Sequence, residues 1–465
     1  MKHSPIRDLS NFLATLHPSV VPEEVKTQAR LCLLDTIGCM VSGATTDAAR
    51  RIATAELNAN PGKQCSIVGG KRGGLLSAAR INAYQGDIYE LNDLIAGHAS
   101  IGNVAAALAM GQARDVSGET LEMALIAGIE TTARVYGAFY PYQKNLEEVG
   151  MVSVGLPSAV GSAAACARIL DLSPSQTSDA LAIAAAWANW CPAEVIFGDG
   201  RGAKPMLFGG LPANAGISAA LAAEQGISGP PDILSSAMGF FATMATQWTI
   251  DPFHSSTWAL AHPRRKLHAC CGYIHSAYDA ALDLRKSEGF AIEEIASVLV
   301  EVPAYTVPAI RKDRLPGTAN EARFHLQYML AHALTGLEAV TPATSEAFEA
   351  ECARPELLAL FDRIRVEPGT GLRHYHQSRL SVTLADGREF SVSNNAPRGS
   401  DRNPLADEAI LAKFRSLCAP GMGEGRTERL IRLCLGLADL PRIDTLCTAL
   451  EQPRGTGSGR KRTTD

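Results

Sequence analysis

The feature that most constrains this chain is a series of alanine- and glycine-rich segments with helical spacing in its first half. Small side chains let helix backbones approach closely, and the glycines fall where helices are expected to end. The pattern therefore predicts a tightly packed helical bundle. The four clearest segments are VKTQARLCLLDTIGCMVSG, NVAAALAMGQARDV, LEMALIAGIETTARVYGAF and VGSAAACARILDL.

The periodicity changes after about residue 290. ASVLVEVP (296–303) alternates between apolar and polar residues as a strand does, and FDRIRVEP (361–368) does so less regularly. RLSVTLADGREFSVSN (379–394) predicts a hairpin with Asp386 and Gly387 in a type I′ turn. The sequence therefore predicts a smaller α+β domain in this part of the chain.

Chain length favours two domains, because 465 residues exceed what one hydrophobic core usually supports. An amphipathic helix, NEARFHLQYMLAHALTG, lies between the strands, and helical spacing resumes at NPLADEAILAKFRSLC. We expect a mainly α fold, with a large all-helical bundle domain and a smaller α+β domain. The predicted boundaries are 1–267 for the helical domain, 268–397 for the α+β domain, 398–454 for C-terminal helices that return to the bundle, and 455–465 for a disordered tail.

Composition excludes several partner classes. The formal charge of −5 and the absence of a basic stripe argue against nucleic acid. The N-terminal segment lacks a signal-type apolar run, and no segment has about 18 uninterrupted apolar residues, so we expect no membrane association. The 11 cysteines are scattered without framework spacing, which indicates reduced thiols and a cytoplasmic protein.

The glycine-rich stretch GGKRGG (69–74) matches neither common phosphate-loop pattern, and a solvent-exposed turn before a helix is the favoured interpretation. The segment QGDIYELNDLIAGHAS, which follows, contains several carboxylates and a histidine that could act in acid/base catalysis. Glu90 and Asp93 lie three residues apart and would share a helix face, and a break at Gly97 could turn His98 inward. Carboxylates beside a histidine suit a general base, whereas the structural alternative is a solvated acidic helix end.

Two later segments supply cations. VIFGDGRGAKPMLFGG carries Arg201 and Lys204, and either a carboxylate anchor or an ordinary loop lysine fits it. HPRRKLHACCGYIHSAYDAAL leaves three possibilities open: a zinc site, a cysteine nucleophile, and an anionic-substrate site built from cations and a histidine or cysteine. The spacing fits no usual zinc pattern, and we favour the anionic-substrate site.

Taken in order, these stretches resemble the MmgE/PrpD family, which includes 2-methylcitrate dehydratase, cis-aconitate decarboxylase and iminodisuccinate epimerase. LLDTIGCMVSG resembles the family's early helix, and QGDIYELNDLIAGHAS resembles its "AHALDFDD…HPS" segment. AKPMLFGGLPANAGISAALAAEQGISGP and RRKLHACCGYIHSAYDA resemble its "KPLHAG…TGP" and "KxYPCCxYTHPAIDA" motifs. The helix with "QY" and DRNPLADEAILAKF complete the order, so the resemblance covers most of the chain.

The resemblance implies an all-helical domain with an α+β lid domain, an active site in the cleft between them, a homodimer, and no metal or organic cofactor. It also implies which residues form the site. The catalytic candidates are Asp93, His98, Lys204, Lys266, His275 and Tyr328, and the substrate-binding candidates are Glu90 and Cys271. The cation-rich stretch itself, rather than the resemblance, adds Arg265 as a substrate-binding candidate.

Three departures from the family pattern bear on the substrate. The acidic segment is shortened to ELNDLIAG, Leu207 stands where "KPLH" has histidine, and Val152 stands where another family histidine is expected. Losing two polar groups should make the pocket less polar. An apolar arm on the substrate, or a different reaction, therefore becomes more favourable than 2-methylcitrate itself.

The resulting hypothesis is a cofactor-independent lyase that eliminates water from a hydroxylated di- or tricarboxylic acid. His98, oriented by Asp93, would abstract a Cα proton while Lys204 and Lys266 clamp carboxylates, with Tyr328 or His275 as the acid and Arg265 assisting. Decarboxylation or epimerisation of a related dicarboxylate would use the same constellation. A non-catalytic anion-binding paralogue and a zinc hydrolase are the remaining alternatives.

Overall fold

The computed structural model describes residues 4–198 and 202–451. It is 58% helical with a small mixed sheet, which confirms the mainly α prediction. Arg201 and the predicted tail at 455–465 lie outside the described residues.

The first part of the chain is almost entirely helical, as its alanine-rich spacing predicts. Each of the four segments singled out in the sequence forms a helix in the structure, namely α2, α5, α6 and α8. The helices are α1 Pro5–Thr15, α2 Glu23–Gly43, α3 Asp47–Ala59, α4 Leu75–Asp87, α5 Ala99–Ala113, α6 Gly118–Phe139, α7 Leu146–Val149, α8 Gly155–Ile169, α9 Pro174–Ala186, α10 Ala193–Phe197, α11 Leu211–Glu224, α12 Phe240–Met244 and α13 Asp251–His254.

Small residues allow the central helices of this bundle to pack backbone against backbone. A Cβ on Gly161 of α8 would lie 1.9 Å from Thr132 Oγ1 of α6, and one on Gly216 of α11 would lie 2.4 Å from Ser162 Cβ. Such distances are far below van der Waals contact, so only glycine fits at either position. The glycines in the alanine-rich segments therefore set the helix spacing as well as helix ends.

Two very short strands, β1 Cys65–Ser66 and β2 Arg72–Gly73, pair antiparallel, and β2 lies within the GGKRGG stretch. Helix α4 begins two residues later, at Leu75, and ends at Asp87. The structure therefore places GGKRGG in a turn before a helix.

A four-stranded sheet lies in the second part of the chain, with the strand order β4-β3-β5-β6. Strand β3 pairs parallel with β4 and antiparallel with β5, and β5 pairs antiparallel with β6. The strands are β3 Ile295–Val302, β4 Ile364–Pro368, β5 Ser378–Leu384 and β6 Glu389–Asn394. These bounds confirm the three strand-like stretches that the alternating pattern predicts.

The hairpin turn between β5 and β6 differs from the predicted type I′ turn. A type I′ turn needs positive φ at both central residues, but of Asp386 and Gly387 only the glycine has positive φ, at 90°. The backbone N–H of Leu384 donates to Arg388 O at 2.9 Å, which closes a three-residue loop. The side chain of Asp386 pairs with Arg388 and favours this longer turn.

The helices of the second part pack mainly on one another and on the sheet. The predicted helix at 320–336 is split into α16 and α17, because His325 acts as the N-cap of α17 and its Nδ1 accepts the N–H of Tyr328 at 3.4 Å. The helices are α14 His275–Glu288, α15 Val307–Ile310, α16 Ala319–Arg323, α17 Leu326–Leu334, α18 Pro342–Glu346, α19 Phe348–Cys352 and α20 Pro355–Phe361.

Three C-terminal helices follow the sheet: α21 Asp407–Met422, α22 Glu424–Leu435 and α23 Asp444–Ala449. Phe414 of α21 lies against Gly38 of α2, within the same apolar core as the first helices. Lys413 Nζ binds Asp35 Oδ1 at 2.7 Å and Leu91 O at 2.8 Å. The C-terminal helices therefore pack on the bundle and fix the segment that follows α4.

One helical run in the described residues, Met206–Glu224, is long and apolar enough by composition to cross a membrane. Its residues Ala213, Ile217 and Ala220 are fully buried in the protein core. The run packs against α5, α8 and α9, so its apolar character is explained by its central position in the bundle.

Candidate active site

The connection between α4 and α5, residues 88–98, is irregular rather than helical. Glu90, Ala96 and His98 have φ of 54°, 44° and 83°, in the left-handed region that non-glycine residues rarely adopt. Glu90 and Asp93 therefore do not share a helix face, which corrects the sequence prediction. Backbone strain of this kind is retained where the surroundings over-determine it, and it is common at functional sites.

The strained segment presents Glu90 to three other side chains. Lys266 Nζ donates to Glu90 Oε1 at 2.7 Å and to Glu90 O at 2.8 Å. Lys204 Nζ donates to Glu90 Oε2 and to Asp87 Oδ1. His98 Nε2 lies 3.1 Å from Glu90 Oε1. We call Asp87, Glu90, His98, Lys204 and Lys266 the acid/base cluster, and all five are buried.

The two lysines set the charge of this cluster. Burial alone would raise the pKa of Glu90, but Lys204, Lys266 and His98 together hold it well below its usual range. Burial, with repulsion from Glu90, raises the pKa of Asp87 to about 7 against the opposing charge of Lys204. Despite burial, the two carboxylates raise the pKa of Lys204. Glu90 is therefore a fully compensated carboxylate in a buried site.

His98 is held as a neutral imidazole with a defined orientation. Burial lowers its pKa to about 4, with Glu90 opposing. Asn92 Oδ1 lies 3.1 Å from His98 Nδ1, and Asn92 Nδ2 donates to Asp93 O at 3.1 Å, which directs its oxygen toward the ring. Both ring nitrogens therefore face oxygen acceptors, so a neutral imidazole can donate to only one of them, whereas an imidazolium would donate to both. A proton gained at Nε2 would be stabilised by the carboxylate of Glu90.

The helical run that carries Lys204 also shapes the site. It contains a π-helical turn at Met206–Gly210, an irregularity that is frequent at functional sites. The ring of Phe208 in this turn lies 5.0 Å from the ring of His98 and 4.5 Å from Lys204 Nζ. The π turn thus brings one aromatic ring against both the imidazole and the ammonium group.

A cavity of about 690 Å³ opens beside the cluster and is lined by Glu90, His98 and Cys271. This volume is within the usual range for small-molecule sites. Its apolar lining residues include Leu94, Ile95, Leu146, Val152, Val154, Ile196, Phe197, Phe208 and Phe324, which we call the apolar wall. Its polar and aromatic lining residues include Tyr136, Tyr140, Tyr273, Tyr305, Tyr375, His262, Arg264, Arg373 and His374.

Residues from both predicted domains therefore line this cavity. Val152, one of the two positions where the family pattern has a histidine that this chain lacks, is among the lining residues. Leu207 is not among the described lining residues, and its neighbour Phe208 takes that place. The pocket is less polar at Val152 than the family pattern implies.

The segment 263–266 is neither helix nor strand, and the side chain of Arg265 points away from those of Arg264 and Lys266. Arg264 lines the cavity and Lys266 reaches Glu90. Arg265 between them points into the helical bundle, where it donates to Gln28 Oε1 at 2.7 Å and to Cys32 Sγ at 3.4 Å. The predicted substrate-binding role of Arg265 does not fit this position, and Arg264 is the arginine at the cavity.

Asp93 also faces away from the described cavity lining. Both ring nitrogens of His98 lie next to Asn92 and Glu90, so these two residues take the orienting role predicted for Asp93. Asp93 is fully buried near Arg265, and burial raises its pKa to about 6. Neither carboxylate oxygen of Asp93 has a hydrogen-bond partner among the described residues.

Two further predicted catalytic residues lie in the core of the second part of the chain rather than on the described cavity wall. His275 Nε2 lies 3.3 Å from Cys270 O, and burial holds the pKa of His275 well below its usual range. Tyr328 packs its ring against His332 and Phe348, and burial raises its pKa. The sequence motif identified their helices but could not show which way the side chains face.

Metal binding has one geometric candidate in the part of the chain that the structure describes. Ligand atoms of Asp87, Glu90 and His98 lie within 4.8 Å of one another. Lys204 contacts both carboxylates, so a divalent cation would have to displace an ammonium group. In the other predicted set, His268 binds Asp279 at 3.2 Å, and Asp279 also pairs with Arg398. In both sets the carboxylates already pair with a cationic side chain, Lys204 in the first and Arg398 in the second, which does not favour a metal centre.

Sequence reasoning missed the polar aromatic wall and Asn92. The five tyrosines come from separate stretches of the chain, so no local sequence motif predicts that they lie together. RHYHQS, which carries Arg373, His374 and Tyr375 between β4 and β5, is the one compact signal, because charged and aromatic residues in a loop often serve function. Asn92 sits beside the more conspicuous Asp93.

Comparison with known proteins bears on this site as a whole. The MmgE/PrpD N-terminal domain matches residues 7–252, and the MmgE/PrpD C-terminal domain matches residues 268–437. The chain is 26% identical to the cis-aconitate decarboxylase-like protein oryM of Aspergillus oryzae, over 92% of this chain and 94% of that protein.

Two further relatives carry a related description. The chain is 25% identical to cis-aconitate decarboxylase of Aspergillus terreus, with 96% of each chain covered. It is 27% identical to cis-aconitate decarboxylase of Homo sapiens, over 75% of this chain and 72% of that protein. The chain therefore belongs to the MmgE/PrpD family and is an enzyme of the lyase class.

Proposed function

We propose that this lyase acts on a di- or tricarboxylic acid at a carbon next to a carboxylate, with Glu90 and His98 as its acid/base pair and without a cofactor. The observation that carries the proposal is the 3.1 Å contact between His98 Nε2 and Glu90 Oε1 on the cavity wall. A neutral imidazole beside an ionised carboxylate can exchange a proton with carbon and stabilise the imidazolium that results.

Each member of the acid/base cluster has a role in this proposal. Lys204 and Lys266 keep Glu90 ionised, because both ammonium groups contact its carboxylate. Asn92 orients His98 through Nδ1, and Glu90 faces Nε2, where its carboxylate stabilises the protonated ring. The sequence hypothesis had the two lysines bind substrate carboxylates directly. In this proposal they stabilise the base instead. Cys271 lines the same cavity, and burial raises its pKa to about 12, so it acts as a neutral wall.

Decarboxylation is the first candidate reaction. The curated relatives reported above are described as cis-aconitate decarboxylases or decarboxylase-like. Loss of CO₂ leaves a carbanion-like centre that needs one proton, and an imidazolium at His98 would supply it. The apolar side chains of Val152 and Phe208 suit a step in which a carboxylate leaves as neutral CO₂ and the electron pair of the broken C–C bond stays on the carbon until it is protonated.

Dehydration of a hydroxy acid is the second candidate, and the tyrosines favour it. Burial raises the pKa of Tyr136, Tyr140 and Tyr273 well above the usual value, so their hydroxyls remain proton donors. Elimination of water needs an acid for the leaving hydroxyl as well as a base for the Cα proton. Tyrosines on the same cavity wall as His98 supply candidates for that acid.

The wider setting is part of the same proposal. We infer a cytoplasmic enzyme, because the reduced thiols and the largely buried apolar helix at 206–224 suit a globular intracellular protein. We further infer a homodimer in which the α+β segment acts as a lid over the bundle.

The experiment is turnover by ¹³C NMR with carboxyl-labelled cis-aconitate and, separately, 2-methylcitrate. Release of labelled CO₂ from the first acid supports decarboxylation, and loss of the hydroxyl-bearing carbon signal with appearance of two alkene carbon signals from the second supports dehydration. The His98→Asn variant is the control for contaminating activity. Equal turnover by this variant and the wild type would contradict the proposed acid/base pair.

A further inference from the structure

The acid/base cluster offers no unpaired positive charge to a substrate. Glu90 receives both lysines, and Asp87 shares Lys204. His98 is neutral because burial lowers its pKa to about 4. The negative charges of the two carboxylates and the positive charges of the two ammonium groups therefore nearly cancel. A substrate with several carboxylates must be bound by a positive charge outside this cluster.

Arg264 is the strongest candidate on the described cavity wall. Tyr375 helps to raise its pKa despite burial, so its charge is secure. Its Nη1 donates to Tyr375 Oη at 2.8 Å, and its Nε lies 4.0 Å from Asp401 Oδ1. A guanidinium has five N–H donors in a rigid fork, so donors beyond that hydrogen bond remain for a ligand. Its side chain is 31% exposed, which leaves it reachable.

Tyrosines extend this cationic group into a binding surface. The rings of Tyr273 and Tyr375 lie 5.5 Å apart, and the hydroxyls of Tyr140 and Tyr273 lie 3.5 Å apart. Tyr136 stacks on Tyr140 at 4.4 Å and lies beside Gly97, the neighbour of His98. We call Arg264, Tyr136, Tyr140, Tyr273 and Tyr375 the arginine–tyrosine cluster.

The arrangement suits a carboxylate better than a neutral group. Tyr375 Oη accepts from Arg264, so its own proton is free to donate. A guanidinium beside neutral hydroxyl donors forms short, charge-assisted hydrogen bonds to an anion. The apolar wall, with Val152 and Phe208, lines the same cavity, and so can accommodate carbon between two carboxylates.

We propose that Arg264, oriented by Tyr375, binds a substrate carboxylate remote from the reacting carbon and so selects acids with an additional carboxylate. The inference rests on the proposed function for the identity of the reacting carbon. Binding of the remote carboxylate, however, requires no turnover. The two proposals can therefore fail separately.

The test is calorimetric titration with propane-1,2,3-tricarboxylate, a non-reacting tricarboxylate, at fixed ionic strength. Arg264→Gln should weaken binding by about 10- to 100-fold, because charge-assisted hydrogen bonds are lost. Arg264→Lys should recover part of the affinity, since it restores the charge but not the fork. Tyr375→Phe should weaken binding by a smaller factor. Arg402→Gln, which changes an exposed arginine beside Asp401, is the matched control.

The outcomes separate the two proposals. Tight binding by wild type and by His98→Asn, with weak binding by Arg264→Gln, supports the carboxylate anchor even if no acid is turned over. Wild-type affinity in a folded Arg264→Gln protein would overturn the anchor, as would absence of binding by the wild type. For any acid that is turned over, Arg264→Gln should raise KM far more than it lowers kcat, and the reverse split would contradict the assignment.

Discussion

The acid/base cluster and the arginine–tyrosine cluster line one cavity but are built in opposite ways. The first is buried and internally charge-compensated, and the strained segment 88–98 holds it. The second leaves Arg264 partly exposed and takes Tyr375 from a loop of the second part of the chain. The comparison teaches that Lys204 and Lys266, which the motifs singled out, stabilise the base. Arg264, which no motif singled out, is better placed to bind a substrate anion.

The largest expected effect is on catalysis by the acid/base cluster. His98→Asn should lower kcat by about 10² to 10⁴, the range for a lost general acid or base, while the melting temperature changes little. His17→Asn, at an exposed histidine, is the matched control. Steady-state kinetics on the substrate identified by NMR would measure this. An H98N enzyme within a few-fold of wild type would place the proton transfer elsewhere.

The pH profile sharpens the same point. Burial lowers the pKa of His98 to about 4, so its basic form persists well below the usual histidine range. If His98 is the base of a dehydration, the kcat/KM of the free enzyme should therefore hold through pH 6 and fall only as the pH approaches about 4. If its imidazolium is the acid of a decarboxylation, kcat/KM should instead rise as the pH falls toward 4. An acid limb at pH 6 to 7 that persists after Asp87→Asn would show that His98 titrates normally.

The next effect is on stability. Glu90→Gln leaves two buried ammonium groups without their shared carboxylate, and breaking a buried ion pair costs about 3–5 kcal/mol. The control is Glu338→Gln, whose exposed pair with Lys286 should contribute about 0–1 kcal/mol. Urea unfolding at pH 7.5 measures both. Equal costs for the two variants would contradict the compensated-cluster description.

A smaller, pH-dependent effect is expected at Asp93. Its folded pKa is raised to about 6 by burial, so it favours folding fully below the ordinary carboxyl pKa and loses that contribution as the pH rises through about 6. Asp93→Asn should therefore be more stable than wild type at pH 8, by about 1–3 kcal/mol, with the difference vanishing toward pH 4. Denaturant unfolding at several pH values measures the difference.

A contrary result at Asp93 would restore its predicted catalytic role. That result is a D93N protein with wild-type stability at all pH values and a kcat that falls as far as in His98→Asn.

The smallest effect is expected at Tyr328. Its ring packs in the core against His332, so removing the hydroxyl should leave kcat within about threefold of wild type, far from the 10² to 10⁴ of a lost general acid. Steady-state kinetics of Tyr328→Phe tests this, with Tyr273→Phe on the cavity wall for comparison. A hundredfold loss at Tyr328 alone would reinstate it as the acid.

Much of the fold follows from local pattern. Alanine-rich helical spacing and strand alternation are set by residues close in sequence, and both predictions agree with α2, α5, β3 and β5. The hairpin turn was harder, because the choice between two-residue and three-residue loops depends on one φ angle at Asp386.

For the site as well, sequence motifs identified residues but not the directions of their side chains. Glu90, His98, Lys204 and Lys266 could be singled out from short motifs, and the structure brings them together. The direction in which each side chain points could not be predicted from these motifs. Arg264 and Arg265 are neighbours in an irregular segment, and the directions of their side chains depend on tertiary contacts such as Leu94 N–H to Arg264 O at 2.7 Å and Arg265 N–H to Gly399 O at 2.8 Å.

The most direct test of the central claim is deuterium incorporation in D₂O, followed by ¹H and ²H NMR, for wild type, His98→Asn and Arg264→Gln. For decarboxylation the account predicts one deuterium at the carbon that lost CO₂ in the wild-type product, and for dehydration it predicts exchange of the Cα proton in the recovered substrate. His98→Asn should show almost none of either. Arg264→Gln should incorporate normally at saturating substrate. Deuterium incorporation by His98→Asn at the wild-type rate would contradict the claim that the Glu90–His98 pair transfers the proton.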